Sequence, residues 1–385
     1  MKILYLTSRF PYPLEKGDKL RAYHQIKELS KLNEIHLVCI VDDDPWSEHI
    51  EKVAIYTTSI RTITITPFER YFSIFKAIWS GLPFQIAWFY SDTIKRLINQ
   101  IVLEVNPDHC FCQLTRMAEY SKNLRCKKTL DYMDSFGVSM YRRADIAGFP
   151  YSWLYKKEAE RMIEYEALIS RSFDHLTIIS EQDKSHFNFT GADMIQVVGN
   201  GISEEFTECR LVVEKKYELV FIGNMSYLPN VESAEYLVKK ILPGLPSDFR
   251  LLIAGVNPNR RVLSLRSDCV LISGWVEDIR HSYLEGKIFV APMWSGTGQQ
   301  NKIIEALSLG IPCITTRAVN NAIGADPDKE IIIAESNQEF IKAILMLLSD
   351  DQKYRSLQEN GRKFIKQNFD WKLKGTLLSS TFALN

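Results

Sequence analysis

Asn301, Lys302 and Glu305 lie within five positions of one another, just after a turn of small residues, Gly296, Thr297 and Gly298. Before the turn stands the apolar run Lys287-Ile-Phe-Val-Ala-Pro292. That order predicts a buried strand, a bare turn and a helix from about Gln299, with Gly310 just past its end and Pro312 opening the next strand. The start of such a helix offers unpaired N–H groups and a partial positive charge, which suits a phosphate. Asn301 and Glu305, four apart, share one face, with Lys302 beside them. Amide donors and a cation come first, then a carboxylate that can accept from two neighbouring hydroxyls. Diphosphate followed by ribose is the order along a nucleotide sugar. The same residues also fit an ordinary strand–turn–helix with a solvated Glu and Lys.

The chain that must position these groups has 385 residues, more than one core usually supports, so two domains are expected. Lys plus Arg and Asp plus Glu balance at 47 each, which argues against a basic surface built to hold nucleic acid. Seven cysteines (39, 110, 112, 126, 209, 269, 313) are scattered, with no metal or redox spacing, and read as free thiols in a reducing compartment. The first apolar run is strand-length and is stopped by Arg9, and no eighteen-residue apolar run occurs. A cytoplasmic protein is expected, at most attached to the inner face of a membrane.

Apolar strand-like runs alternate with amphipathic helices throughout, the mark of an α/β chain with parallel sheets. Residues 1–203 form the first Rossmann-like domain in this reading. A polar, acidic stretch at 204–216 is the linker, 217–368 the second domain, and 369–385 a helix returning to the first. Asp134 and Ser135 fall at the carboxyl end of the strand 127–134, where open parallel sheets carry ligands. Asp42-Asp43-Asp44, at another strand end, reads as a solvated acidic loop. The stretch 68–80 is a helix dense in aromatics. Packing into the core is the expectation for it; the alternative is a surface for a lipid-linked or membrane-bound acceptor.

Five segments, in order, resemble one family: Pro11-Tyr-Pro-Leu-Glu-Lys-Gly-Asp-Lys-Leu-Arg21, Val198-Gly-Asn-Gly201, Phe221-Ile-Gly223, Gly274-Trp-Val276 and Gly296 to Pro312. Together they are similar to the retaining, nucleotide-sugar-dependent glycosyltransferases of the GT-B fold, family 4. The likeness is greatest to bacterial sugar transferases associated with exopolysaccharide and protein-sorting gene clusters. It implies two Rossmann-like domains facing across a cleft, the first on the acceptor side and the second holding the donor. It further implies donor contacts at Gly17, Asp18, Arg21, Asn200, Gly201, Gly223, Trp275, Val276, Gly296, Thr297, Gly298, Asn301, Lys302 and Glu305. Glu305 would hold the ribose and Trp275 and Val276 the base, while Asp134 would lie near the reacting carbon. Asp134, Lys302 and Glu305 are the candidate catalytic residues.

Two departures from the family pattern stand out. The acid usually found eight positions before Glu305 is Thr297 here, and the loop after Gly223, Asn224-Met-Ser-Tyr-Leu-Pro-Asn230, carries no cation. The expected function is metal-independent, cofactor-free transfer of a hexosyl-type sugar from a UDP- or GDP-type donor to a saccharide or lipid-linked acceptor, with retention, in bacterial surface polysaccharide or glycoconjugate synthesis. A GT-B partner without turnover, which the departures favour, and a nucleotide-sugar epimerase are the alternatives. Against the epimerase, none of the seven histidines (24, 36, 49, 109, 175, 186, 281) falls in these motifs.

Overall fold

The computed structural model describes residues 1–294 and 299–383. The chain divides into two compact units, Met1–Gly199 with Trp371–Asn385, and Asn200–Asp370. The sheet of the first unit comprises β1 (Lys2–Thr7), β2 (Glu34–Val41), β3 (Ser59–Thr64), β4 (His109–Gln113), β5 (Lys127–Asp131), β6 (His175–Ile178) and β7 (Gln196–Val197). All pairs are parallel and the order is β3-β2-β1-β4-β5-β6-β7. A strand covered on both faces must be apolar at every position, as Ile3-Leu-Tyr-Leu6 is. Its alternation sends Ile3 and Tyr5 into one core layer and Leu4 and Leu6 into the other.

The second unit repeats the plan with β8 (Tyr217–Ile222), β9 (Leu251–Ala254), β10 (Val270–Gly274), β11 (Gly286–Ala291), β12 (Cys313–Thr315) and β13 (Ile332–Ile333). Its order is β10-β9-β8-β11-β12-β13, again parallel throughout. In each sheet the strand order reverses beside the first strand, between β1 and β4 and between β8 and β11. Ligand sites of open parallel sheets form at the carboxyl ends there.

The helix Trp371–Ala383 belongs to the first unit and packs on the helix Gly17–Leu29. Trp371 stacks on His24 with ring centroids 4.7 Å apart, and Phe382 lies 4.4 Å from the His109 ring. Burial lowers the His24 imidazole to about 3, so it is neutral where it stacks. A Cβ at Gly375 would come within 2.4 Å of the Glu28 Cβ, so the glycine lets the two helices close.

Three sequence expectations need correction. The stretch 204–216 is no free linker: it lies in the second unit and opens with the short helix Glu204–Thr207. Two apolar side chains dock it, Ile202 in the core and Phe206 with its ring 6.2 Å from Tyr283. The strand carrying Asp134 ends at Asp131, because Met133 takes the left-handed conformation with φ 65°.

The aromatic helix Pro67–Ser80 is not packed into the core. Its buried residues are the small Ser73 and Ala77, while Phe68, Tyr71, Phe72, Phe75, Ile78 and Trp79 are exposed. These six recur at three- and four-residue spacing and form one outward stripe. Small groups sit inside because the Ser73 hydroxyl donates to the Tyr90 carbonyl at 2.6 Å, a distance that leaves no room for a ring. All seven cysteines are free thiols, four of them buried.

Candidate functional site

In the second unit, three helix-borne groups converge at the carboxyl ends of β8 and β11. The helix Asn301–Ser308 starts at Gln300, whose own side chain makes no capping hydrogen bond. Lys302 bends back over the helix start. Its Nζ donates to Asn230 Oδ1 at 2.5 Å and Gln300 Oε1 at 3.2 Å, 5.7 Å from the centre of the Phe221 ring. Among the described residues it makes no ion pair. Dipoles and a ring face compensate an ammonium poorly, so burial lowers it to about 7, with Glu305 pulling weakly the other way. A charge held without a counter-charge is a place for an anion.

Glu305, one turn on, accepts from the buried Tyr283 hydroxyl at 2.7 Å. The same hydroxyl also reaches the Lys302 carbonyl at 3.3 Å, which fixes it against the helix. Burial raises the Glu305 carboxyl; the Tyr283 hydrogen bond and Lys302 oppose that. With Oε2 occupied by Tyr283, Oε1 has no partner among the described residues.

The surroundings are built for close backbone approach. Gly223 ends β8 against Asn230, where a Cβ would come within 2.6 Å of Nδ2. Gly255 ends β9 at φ 130°, and a Cβ there would meet the Gly223 carbonyl at 1.9 Å. Only glycine fits that position. Asn200 is tied to the helix start: its N–H donates to Gln299 Oε1 and its carbonyl accepts from Gln299 Nε2, both at 3.1 Å, and its side chain reaches Asn301 at 3.4 Å. Gly201 follows it and is buried. Trp275 and Val276 follow Gly274 at the end of the edge strand β10, the indole 65% exposed. Gly296, Thr297 and Gly298 lie outside the described residues.

In the first unit Gly17 opens its helix, and a Cβ there would sit 3.3 Å from the Met133 methyl. Asp18 pairs with Arg9 at 2.5 Å, and its carbonyl accepts from Gln113 at 2.8 Å. Asp134 occupies the turn after β5, its N–H donating to the Tyr132 carbonyl at 2.8 Å. The next helix is capped by Ser135, whose hydroxyl, with the Phe136 N–H, binds the buried Glu166. Burial raises that carboxyl to about 8, so it is largely protonated at neutral pH and shapes the Asp134 turn.

Arg21 corrects a sequence expectation. Rather than facing a ligand, it is fully buried in a two-point pair with Asp131, Nε to Oδ2 at 2.7 Å and Nη2 to Oδ1 at 2.9 Å. Gln25 and Thr177 complete the shell around that carboxylate. The resemblance placed Arg21 at the donor through the motif that precedes it; its place on the inner face of the helix decides otherwise.

Several contributors lay outside the sequence reading. Tyr283 and Asn230 brace Glu305 and Lys302, and no motif marks them. Gly255 had a signal, a glycine directly after an apolar strand. Arg116 lies between the rings of Phe89 and Phe136, each 4.7 Å away. Burial lowers it to about 10, with Arg9 adding to the shift and Asp18 and Asp134 opposing it, so it belongs to the same charged cluster.

Comparison with known proteins bears on the fold that carries these residues. The family model described as "Glycosyl transferases group 1" matches residues 216–350, most of the second unit. An "Uncharacterized 44.6 kDa protein in cps region" of Klebsiella pneumoniae is 22% identical over 419 residues, covering all of both chains. Among solved structures, the sucrose-phosphate synthase of Thermosynechococcus elongatus superposes with a TM-score of 0.72 at 15% identity, over 100% of this chain and 98% of the other. HepE of Anabaena in complex with UDP gives 0.72 at 13% identity over the full length of both. The chain therefore has the GT-B glycosyltransferase fold, two Rossmann-like domains each built on a parallel sheet, and residues 216–350 of its second unit match the group 1 glycosyl transferases.

Proposed function

We propose that the protein is a retaining, family 4 glycosyltransferase that binds a UDP- or GDP-type sugar on its second unit. It passes the sugar to a saccharide or lipid-linked acceptor. The observation that carries this reading is Lys302, a buried ammonium whose hydrogen-bond partners among the described residues are all neutral, at a helix start that Gln300 does not cap, one turn before Glu305. HepE, of the same fold, is described with UDP, and the Klebsiella relative is named for a cps region, which supports a role in surface polysaccharide synthesis.

As the sugar departs, negative charge grows on the diphosphate. Lys302 and the N–H groups opening the Asn301 helix stabilise that charge where it develops, in place of a metal ion. Glu305, oriented by Tyr283, holds the ribose hydroxyls, and the exposed Trp275 offers a platform for the base. Asp134, in its tight turn, orients the acceptor or steadies the sugar cation. The outward stripe of the aromatic helix supports contact with the membrane that would carry a lipid-linked acceptor.

A thermal-shift screen with UDP, GDP, ADP and CDP tests the reading. One nucleotide is expected to raise the melting temperature of the wild type and not of Glu305→Ala. No shift with any of the four refutes it. Nucleotide binding without transfer across a broad acceptor panel turns it into the reading of a partner without turnover.

A further inference from the structure

A cavity of about 300 Å³ opens in the first unit between the loops that follow β1 and β2. Its volume falls at the lower end of small-ligand sites, about 300–1,000 Å³. One wall is cationic, made of Arg9, Lys16 and Lys19 around the start of the Gly17 helix, a thirteen-residue helix whose N-cap residue, Lys16, makes no side-chain capping bond. Arg9 is balanced by Asp18, but among the described residues Lys19 donates only to the Tyr12 carbonyl, at 3.3 Å. Burial and the neighbouring Lys16 lower its ammonium more than Asp18 and Glu15 raise it. Two cations thus stand close together, and the nearer of the two carboxylates, Asp18, is already engaged by Arg9.

Ser8 supplies an independent sign of a missing ligand. It lines the same cavity and is 3% exposed, yet its hydroxyl has no hydrogen-bond partner among the described residues. Leaving a buried hydroxyl unpaired is unfavourable, and here the open side of the cavity is where a partner can reach it.

The opposite wall differs. Asp42 is engaged by Arg70, while Asp43 and Asp44 are exposed and have no partner among the described residues. Beside them Trp46, 73% exposed, stacks on His49 with ring centroids 5.4 Å apart. No three of the described acids and histidines gather closely enough to hold a metal ion. Separate carboxylates accept hydrogen bonds from hydroxyls, and an open indole face suits the apolar side of a sugar ring. Cations, a buried hydroxyl and helix amides suit an acid group.

We infer that this cavity binds an acidic saccharide, a sugar bearing a phosphate or a carboxylate, as the acceptor. Its acid group lies on Lys16, Lys19, Ser8 and the Gly17 helix start, its ring on Trp46 and its hydroxyls toward Asp43 and Asp44. The acceptor role rests on the transferase reading above; binding of an acidic sugar does not.

Calorimetry on the full chain tests the inference with five probes: glucose 1-phosphate, glucuronate, glucose, inorganic phosphate and UDP. At least one acidic sugar is expected to bind ten-fold or more tighter than both glucose and phosphate; which of the two wins identifies the acid. Lys16→Ala/Lys19→Ala should weaken it ten-fold or more and leave UDP binding unchanged. Asp43→Asn/Asp44→Asn, altering only the opposite wall, should also weaken it, and Glu305→Ala should not. The inference is overturned if glucose or phosphate alone binds as well as the acidic sugars, if neither double variant weakens them, or if UDP binding falls in step with theirs, since the cavity then belongs to the donor. Loss of UDP binding alone overturns the transferase reading and leaves the acidic-sugar site standing.

Discussion

Replacing Lys302 with methionine keeps the side chain's length and removes its charge, which separates its effect on the fold from its effect on a ligand. An ammonium held at about 7 instead of 10.5 destabilises the folded state by about 4 kcal/mol at neutral pH. The sign follows from proton counts. Between pH 7 and 10.5 the unfolded chain keeps the Lys302 proton and the folded chain has shed it, so stability rises with pH across that window. Below pH 7 the penalty is complete. Methionine removes it but strands the Asn230 oxygen, which returns roughly 1–3 kcal/mol. The unliganded variant should therefore exceed the wild type in stability at pH 6 by about 1–3 kcal/mol and lack the rise between pH 7 and 10. Denaturant unfolding at several pH values reads both effects.

With UDP the ranking inverts. A diphosphate beside Lys302 restores its proton, so binding at pH 8 should take up about 0.9 proton and at pH 6 about 0.1. Calorimetry in buffers of different ionisation enthalpy measures that uptake, which the variant should lack. A Lys302→Met protein less stable than wild type at pH 6 would refute the reasoning. So would UDP heats at pH 8 that do not depend on the buffer.

Tyr283→Phe removes the hydroxyl that orients Glu305 and should raise the donor KM about 10-fold or more with a smaller effect on kcat, since a hydrogen bond to a charged group contributes about 1.5–3 kcal/mol. Steady-state kinetics at saturating acceptor will show it. Asp131→Asn, which breaks the buried pair with Arg21, should destabilise the protein by about 3–5 kcal/mol while the UDP affinity of the remaining folded protein is unchanged. Gly255→Ala forces a Cβ toward the Gly223 carbonyl and should yield little soluble protein; a soluble variant with wild-type UDP affinity would mean the strand ends are looser than described. Replacing Phe72, Phe75 and Trp79 together with serine should abolish co-sedimentation with anionic vesicles without lowering the melting temperature, because none of the three is buried.

The sheets were legible in the sequence because parallel strands covered on both faces read as unbroken apolar runs, and Ile3 to Leu6 and Ile288 to Ala291 are such runs. The Asn301 helix was legible for a similar reason: glycine at both ends and a spacing that puts Asn301 and Glu305 on one face. Tertiary packing hid the rest. Arg21 is charged and stands close to an exposed loop, and only the position of Asp131 in space shows that it points inward. The aromatic helix has a strong amphipathic period, but a period gives the width of a stripe and not its direction. Ser73 and Ala77, rather than the rings, face the protein. Tyr283 braces Glu305 from a helix twenty-two residues earlier, a distance no local pattern spans.

The helix Trp371–Ala383 completes the first unit yet is made only after all of residues 200–370. On the ribosome, the first sheet must therefore wait with the His24 ring and the Phe111 layer uncovered while the entire second unit emerges. Folding of the amino-terminal half cannot finish as a domain in its own time. A chaperone that shields that face, or a pause that lets the second unit fold first, would govern yield. Severing the chain after Asp370 should leave a protein that aggregates through its first unit even though every strand of both sheets is present.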